Sequence, residues 1–403
     1  MIATMWLKGY SASYYLLCVV AFLYMLSIMV TNPILSLFAE DIGAAGVWIG
    51  YAVSGYWISR VVLEIPSGYV SSKFGYYRPM LFGLALTVMG NIMLVFVNDP
   101  LHLVLVRAVN GFGAPFFFAV SMTFIVNLFG AERRGTAMGV FQGIEFMGTI
   151  IGSAVSGKLV QELGWQGGFV AALALSVAAL LLFVVPPHIK REIVRGPTSK
   201  PLTLGEVVGV LRNKTLMIMA AATLAEFIMT NGLIITIVPL FMRGALGFSL
   251  ADVGYVMGAR SLGFVVAMFT MGSISDRIGR RPVLMFGMTA TAILIVVMSF
   301  FSTFFTLAAV ICVIGFTSGA IWIVGPVISA EAVDPSQRGA AIGVYRTFFD
   351  LGSVLGPILM TAVMTGCGVK QCFYVAAALL LLNVPLTYLM DETGRTEGVT
   401  IAH

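Results

Sequence analysis

The sequence predicts an all-α integral membrane protein of twelve transmembrane helices, arranged as two pseudo-symmetric six-helix bundles. Three observations carry that prediction: apolar runs long enough to cross a bilayer, Lys and Arg gathered on one side of those runs, and a second half that repeats the first at constant spacing.

Of 403 residues, 59% are hydrophobic and 10% are Asp, Glu, Lys or Arg, against roughly 45–50% apolar and about 25% charged in a typical soluble domain. The runs 14–38, 79–97, 168–186 and 289–305 are each near the length that crosses a hydrocarbon core of about 30 Å as a helix. Hydrocarbon offers backbone groups no partners, so such runs fold as helices and not as open strands. The expected spans are 12–37, 46–70, 78–97, 101–129, 136–160, 166–186, 214–240, 250–271, 282–302, 305–330, 338–365 and 371–390. The longest polar interval contains KREIVRGPTSKP and divides six spans from six, giving residues 1–187 and 214–403 as bundles and 188–213 as a cytoplasmic linker. The N-terminus carries Lys8 and no small-residue cleavage site after its apolar run, so that run reads as a retained first helix.

Twelve spans put both termini and the even-numbered connections on one side. That side carries Lys8, Lys73, Arg78, Arg133, Arg134, the linker cluster from Lys190 to Lys214, Arg277, Arg280, Arg281, Arg338 and Arg395. The other has Lys158, Arg243 and Lys370. The positive-inside rule therefore predicts cytoplasmic termini in a multi-pass protein of the cell membrane. It also accounts for the net charge of +5 without a nucleic-acid partner.

The repeat has an offset of 204. Gly50 and Tyr51 return as Gly254 and Tyr255, Gly68 as Gly272, Gly75 as Gly279, Gly83 as Gly287, Gly111 and Phe112 as Gly315 and Phe316, and Gly148 and Gly152 as Gly352 and Gly356. Glycine alone would match by chance in apolar sequence, but not glycine, tyrosine and arginine (Arg134 and Arg338) in one register across five helices. Two similar bundles facing each other about a pseudo-two-fold axis, with a solute site between them, are expected.

Two loops are specific. Residues 272–287 read GSISDRIGRRPVLMFG, and residues 68–83 read GYVSSKFGYYRPMLFG. The first resembles the signature G-x-x-x-D-R-x-G-R-R of the major facilitator superfamily, through Gly272, Asp276, Arg277, Gly279, Arg280 and Arg281. The second keeps Gly68, Lys73, Gly75 and Arg78 but has Ser72 in the acidic position. Glycines permit a tight turn and close helix contact, and Asp276 with its arginines can form an ion-pair latch that breaks as the halves rock, weaker in the first copy. LVLVRAVNGFGAP, residues 103–115, resembles the superfamily's fourth-helix motif, whose arginine, here Arg107, is associated with proton-coupled members. Span five resembles the glycine-rich motif of the family's drug/proton antiporters through Gly148, Gly152 and Gly157; its proline is replaced by Ser153 and appears instead as Pro357 in span eleven. Packing of small residues against a neighbouring helix explains the same glycines without any transport role.

Arg60, Glu64, Arg107, Glu145, Glu226, Arg260, Arg346 and Asp350 fall inside spans, where a charge costs about 2.5–3.5 kcal/mol on insertion scales and needs a cavity or a partner. Arg60 lies 8 positions before Gly68 and Arg346 lies 8 after Arg338; Glu145 lies 11 after Arg134 and Arg260 lies 12 before Gly272. In the superfamily spans two and eleven, and five and eight, meet across the seam. The resemblance thus implies that Arg60 and Glu64 face Arg346 and Asp350, and Glu145 faces Arg260, as gating pairs; the alternative is i,i+4 pairing within one helix. Glu226, on span seven, which the resemblance implies is one of the cavity-lining helices, has Thr230 and Asn231 a turn later and no basic residue within one turn on its own helix. That makes it the candidate for proton or cationic-substrate binding. Asn32, Asn110 and Glu331 are further cavity candidates. His102, His188 and His403 all lie outside span interiors, so a proton relay must use carboxylates.

Cys18, Cys312, Cys367 and Cys372 have no metal-ligand spacing, though Cys367 and Cys372 flank a short loop that a disulfide can close. There is no G-x-x-x-x-G-K-[ST] loop, H-E-x-x-H, G-x-S-x-G or Cys/His cluster, which argues against an ATP-driven pump or an intramembrane enzyme. The expected function is proton-coupled secondary transport by alternating access, without a cofactor. A proton gradient supplies about 1.4 kcal/mol per pH unit and about 2.3 kcal/mol per charge per 100 mV. The preferred substrates are exported amphipathic or cationic small molecules, the protein working as a monomer with substrate, protons and bilayer as its partners. Proton-coupled uptake of a small organic acid or sugar is the alternative, and a non-transporting receptor or scaffold is the alternative of another class.

Overall fold

The structure, a computed structural model, describes residues 11–129, 131–187, 190, 193 and 204–391. Lys8, Arg395, His188, His403 and most of the expected 188–213 linker lie outside the described residues, as do the side chains of Ser72 and Arg134.

Ten stretches among the described residues are long and apolar enough to cross a membrane. They are α1 (Ala12–Asp41), α3 (Tyr77–Val95), α4 (Pro100–Ile125), the stretch Thr136–Val184, α7 (Lys214–Ala245), α8 (Leu250–Ile278), α9 (Arg280–Met298), α10 (Phe304–Glu331), α11 (Arg338–Cys367) and α12 (Val369–Thr387). The 49-residue stretch is part of the helical run Ala131–Val184, which is broken at Gly164 by a φ of +71° and forms α5 before the break and α6 after it. Val47–Phe74, 28 residues carrying Arg60, Glu64 and Lys73, supplies α2. Twelve helices of membrane-crossing length result among the described residues. Polar residues stop and start them: Asp99, Asn213, Ser249 and Thr303 accept the first free backbone N–H groups of α4, α7, α8 and α10.

The repeat is physical. Seven glycines among the described residues have positive φ, and six of them form three pairs 204 apart: Gly43 and Gly247, Gly75 and Gly279, Gly164 and Gly368. Each pair marks a turn at the same place in its half, where a side chain would be strained. Packing repeats as well. A Cβ added to Gly111 would lie 2.0 Å from the carbonyl oxygen of Tyr56, and one at Gly315 would lie 2.1 Å from that of Arg260, which is the equivalent position. Gly83 against Gly113 is likewise matched by Gly287 against Thr317.

The helix-packing glycines bind elements within and between halves. Gly148 and Gly152 close on α1 at Phe22 and Met29, while Gly352 and Gly356 close on α7 at Leu224 and Ile228. Gly157 meets α8 at Leu250, Gly254 meets Gly157, and Gly258 meets Ala154, which seals the α5–α8 seam. On the α2–α11 seam, Gly50 lies against the Pro357 carbonyl, and the Ser54 hydroxyl donates to the Val354 carbonyl at 2.7 Å.

These tight contacts all lie in the parts of α2, α5, α8 and α11 remote from the basic loops. Toward the basic side, an added Cβ at Gly139, Gly143, Gly272 or Gly343 would meet nothing within 4 Å. The halves are therefore closed on one face and splayed on the face that carries Lys73, Arg78, Arg277 and Arg338.

If the 204-residue repeat governs packing, Gly111→Ala and Gly315→Ala should destabilise the fold by similar amounts, about 1–3 kcal/mol each by overpacking. Thermal unfolding of the two variants in detergent tests this, and a loss confined to one of them would refute equivalence.

Candidate functional site

Between the halves lies a cavity of about 260 Å³, lined from the first half by Asn32, Tyr56, Trp57, Arg60, Glu64 and Glu145 and from the second by Glu226, Thr230, Asn231, Arg260, Trp322, Arg346 and Phe349, among others. Two local features widen α4 and α7 beside it. Pro115–Ala119 and Ile228–Ile237 adopt π-helical hydrogen bonding, the latter with the Thr236 hydroxyl donating to the Asn231 carbonyl at 2.7 Å. Such bulges tilt side chains off the regular helical repeat. The Asn231 amide in turn donates to the Ser353 hydroxyl at 2.9 Å.

One wall is ionic. Arg346 on α11 pairs with Glu64 on α2, and Arg60 Nη2 on α2 lies 3.5 Å from Asp350 Oδ1 on α11 and 4.0 Å from Glu64 Oε2. The two halves thus exchange charge in both directions, and the i,i+4 contact of Arg60 with Glu64 is the longest of the three. The Arg60 guanidinium also stacks 4.9 Å over the Trp57 ring and 5.6 Å over Phe349. Removing one member of such a buried pair strands the other, typically at 3–5 kcal/mol.

The expected Glu145–Arg260 pair is absent among the described residues in this conformation. The α5–α8 register is set by Ala154 against Gly258. Counting two residues on from that contact places Arg260 level with position 152, seven residues and about 10 Å of helix rise from Glu145. Arg260 Nη2 instead donates to the Thr230 hydroxyl at 3.4 Å, and that hydroxyl donates to Glu226 Oε1 at 3.1 Å. Glu226 is 3% exposed and Glu145 8%. Glu145 Oε2, Glu226 Oε2 and Arg260 Nε are buried without a hydrogen-bond partner among the described residues.

Other candidates are redistributed. Arg107 is buried behind the cavity wall, where Nη2 donates to Asn32 Oδ1 at 2.8 Å and the guanidinium lies 5.0 Å over the Tyr56 ring; Asn32 and Tyr56 stand between it and the cavity. Asn110 is also behind the wall, wedged against Gly90. Glu331 lies at the end of α10, exposed, with Oε1 3.3 Å from Arg280 Nη2. Its position in sequence is simply too close to the basic loop to reach the cavity. Cys367 and Cys372 are free thiols, Cys372 being buried against the Met360 carbonyl.

The loop motif works inside the second half. Arg280 pairs with Asp276 and Glu331 and donates to the Ser275 hydroxyl at 2.7 Å, tying α8, α9 and α10, and Arg281 donates to the Met390 carbonyl at 3.3 Å. The anticipated latch is therefore a clamp within one bundle in this conformation, because the halves are apart on this side. Arg277 is exposed, as are Lys73 and Arg78 of the first copy, with Lys73 set 5.5 Å over the Phe74 ring.

One cluster has no counterpart in the sequence reading. Asp41 at the end of α1 accepts from Arg243 of α7 at 3.1 Å and from the Trp165 indole at 2.9 Å. It joins the halves on their closed face, beside the bond from the Ala251 amide to Gln161 Oε1 at 3.1 Å. The signal available was that Arg243 is one of few cations on that side.

The Major Facilitator Superfamily model matches residues 17–231 and 223–401. The chain belongs to that superfamily. It is 23% identical over 377 residues to multidrug resistance protein MdtG of Proteus mirabilis, covering 90% of this chain and 91% of that one. It is 22% identical over 377 residues to multidrug resistance protein 2 of Bacillus subtilis, covering 92% and 93%. The crystal structure of the nucleoside transporter NupG superposes with a TM-score of 0.79 at 18% identity, covering 94% of this chain and 99% of that one, a likeness of fold. The protein is thus a multi-pass membrane transporter of small molecules and not an enzyme.

Asp41→Asn and Arg243→Gln should each loosen the closed face. The pair is about one-third exposed, so its worth is at most about 1 kcal/mol and the closed-to-open ratio should fall by no more than about fivefold. Reaction of a Ser153→Cys variant with a bulky thiol reagent added from that face should accelerate accordingly; an unchanged rate would remove the cluster from the seal.

Proposed function

We propose that the protein is a proton-coupled secondary transporter that exports amphipathic or cationic small molecules by alternating access, the drug/proton antiport reaction. The observation that carries this reading is the pair of buried, incompletely hydrogen-bonded carboxylates, Glu226 and Glu145, in a cavity between two halves that are splayed on one face and sealed on the other. A carboxylate in that setting can hold either a proton or a substrate cation, and mutual exclusion of the two is what couples their fluxes. The curated relatives named multidrug resistance proteins support the direction and the substrate class. Arg107, the arginine of the fourth-helix motif, is behind the wall and not in the cavity.

In this reading residues 1–187 and 214–403 rock about the cavity, joined through 188–213. Both termini and the splayed face are cytoplasmic, the protein lies in the cell membrane, and the single chain is the working unit. Glu64, Arg346, Arg60 and Asp350 act as gating pairs whose contacts differ between states. The conformation is the inward-facing one, with Asp41–Arg243 closing the outer face.

The test is transport in proteoliposomes under an imposed pH gradient, using a panel of amphipathic compounds. Antiport requires that substrate addition release protons on the side of substrate uptake, and Glu226→Gln should abolish accumulation against a gradient while downhill exchange persists. Accumulation that ignores the pH gradient, or survives Glu226→Gln intact, would overturn the proposal.

A further inference from the structure

Besides Glu145, the charges in and beside the cavity fall into two sets. Arg60, Glu64, Arg346 and Asp350 are ion-paired with one another across the α2–α11 seam, although Arg60 Nε and both Asp350 carboxylate oxygens make no hydrogen bond among the described residues. Arg260 and Glu226 are not in direct contact: one hydroxyl, that of Thr230, stands between them, accepting from the guanidinium and donating to the carboxylate. Each keeps unused capacity. Arg260 Nε and Glu226 Oε2 are buried without a partner among the described residues, although a guanidinium has five N–H donors and a carboxylate about four acceptor sites. Buried groups of this kind are normally satisfied, so a ligand is the natural completion of both.

The surroundings say what the rest of that ligand is. Phe264 lies one helical turn from Arg260 on α8, and Phe227 adjoins Glu226 on α7. Trp322 of α10 joins them, its ring centroid 5.8 Å from Phe264 and 5.4 Å from Phe227. An aromatic wall of Phe227, Trp322 and Phe264 therefore lines the cavity together with a cation and an anion held one hydroxyl apart. The cavity of about 260 Å³ is just under the range of roughly 300–1,000 Å³ for drug-sized ligands, which suits a one- or two-ring body.

We propose that the substrate is amphoteric: an aromatic compound bearing a carboxylate and an ammonium group on the same or adjacent carbons, with the carboxylate on Arg260, the ammonium on Glu226 and the ring on the Phe227–Trp322–Phe264 wall. This rests on the export reading for the site but narrows its chemistry, because a lone lipophilic cation would leave Arg260 buried and unanswered. Arg260 supplies a bidentate fork for the carboxylate, an interaction with specificity as well as strength.

The test is equilibrium binding to the full-length protein in lipid nanodiscs, with no gradient present. The probes are naphthylalanine, its methyl ester, which keeps only the cation, and its N-acetyl derivative, which keeps only the anion. The amphoteric form should bind about tenfold or more tighter than either relative, the worth of one charge-assisted contact to each group. Arg260→Gln should erase its advantage over the ester, and Glu226→Gln its advantage over the N-acetyl form. Thr230→Val, which removes the hydroxyl bridge and leaves both charges, should preserve the order of the three. An ester that binds as well as the amino acid, an order unaffected by Arg260→Gln, or no binding of the amphoteric form at millimolar concentration would each overturn the proposal. The wild-type comparison stands even if a variant fails to fold. Because binding is read without a gradient, a lost proton coupling leaves this order intact, and a wrong order leaves the coupling result intact.

Discussion

A charged side chain surrounded by hydrocarbon has no water to solvate it, and the placement of the ionisable groups here follows from that constraint. Arg107 meets it with the Asn32 amide oxygen and the face of the Tyr56 ring. Arg60, Glu64, Arg346 and Asp350 meet it by pairing, and their partners belong to the opposite half of the molecule. A static bundle would be at least as stable with apolar residues packed in those places. Ionic pairs kept at a seam instead give the two halves a contact that can be broken where water enters and remade where it is expelled.

The repeat makes one departure from symmetry instructive. Advancing Arg60 by 204 gives Phe264, and moving Asp350 back by 204 gives Phe146. The ion pair of the α2–α11 seam, with its 3.5 Å contact, is therefore replaced on the α5–α8 seam by an aromatic pair with centroids 5.2 Å apart. The same exchange relates Tyr56 to Arg260 and Glu145 to Phe349. Ion pairs change greatly in energy when water reaches them, whereas a pair of rings contributes about 0.5–1.5 kcal/mol beyond its buried area and carries no net charge to solvate. The two seams thus share a fold but not a physics. The α2–α11 seam carries charges that water can solvate, while the α5–α8 seam at the equivalent place carries none.

Much of this was legible in the sequence, for identifiable reasons. Span lengths follow from bilayer thickness, and the turns at Gly75 and Gly279 follow from a φ that only glycine adopts at ease. Charges at equal distance from equivalent loops placed Arg60 and Glu64 level with Arg346 and Asp350. The same arithmetic failed for Glu145 and Arg260, since the α5–α8 register is set by Gly157, Ala154, Gly254 and Gly258 and not by the loops from which the count was made. Glu226 stood out as a carboxylate without a basic residue within one turn on its own helix; its link to Arg260 comes from another helix and through a hydroxyl, a contact no spacing encodes. The Asp41–Arg243 bridge joins residues 202 apart at helix ends, where sequence gives a charge and no direction.

The division of the cavity between the halves constrains the proposed coupling. Arg260, Thr230 and Glu226 all belong to the second half, so rocking one half against the other leaves their mutual distances unchanged. A ligand held by those three alone would bind equally well in both conformations, and a ligand with equal affinity for two states shifts nothing between them. The differential contact must come from the first half, whose uncommitted cavity charge among the described residues is Glu145. In the proposed cycle, then, the second half selects the substrate at Glu226, where proton and substrate cation exclude one another, and the contact that differs between the two conformations is made where the halves separate, at Glu145 and the Glu64–Arg346 pair.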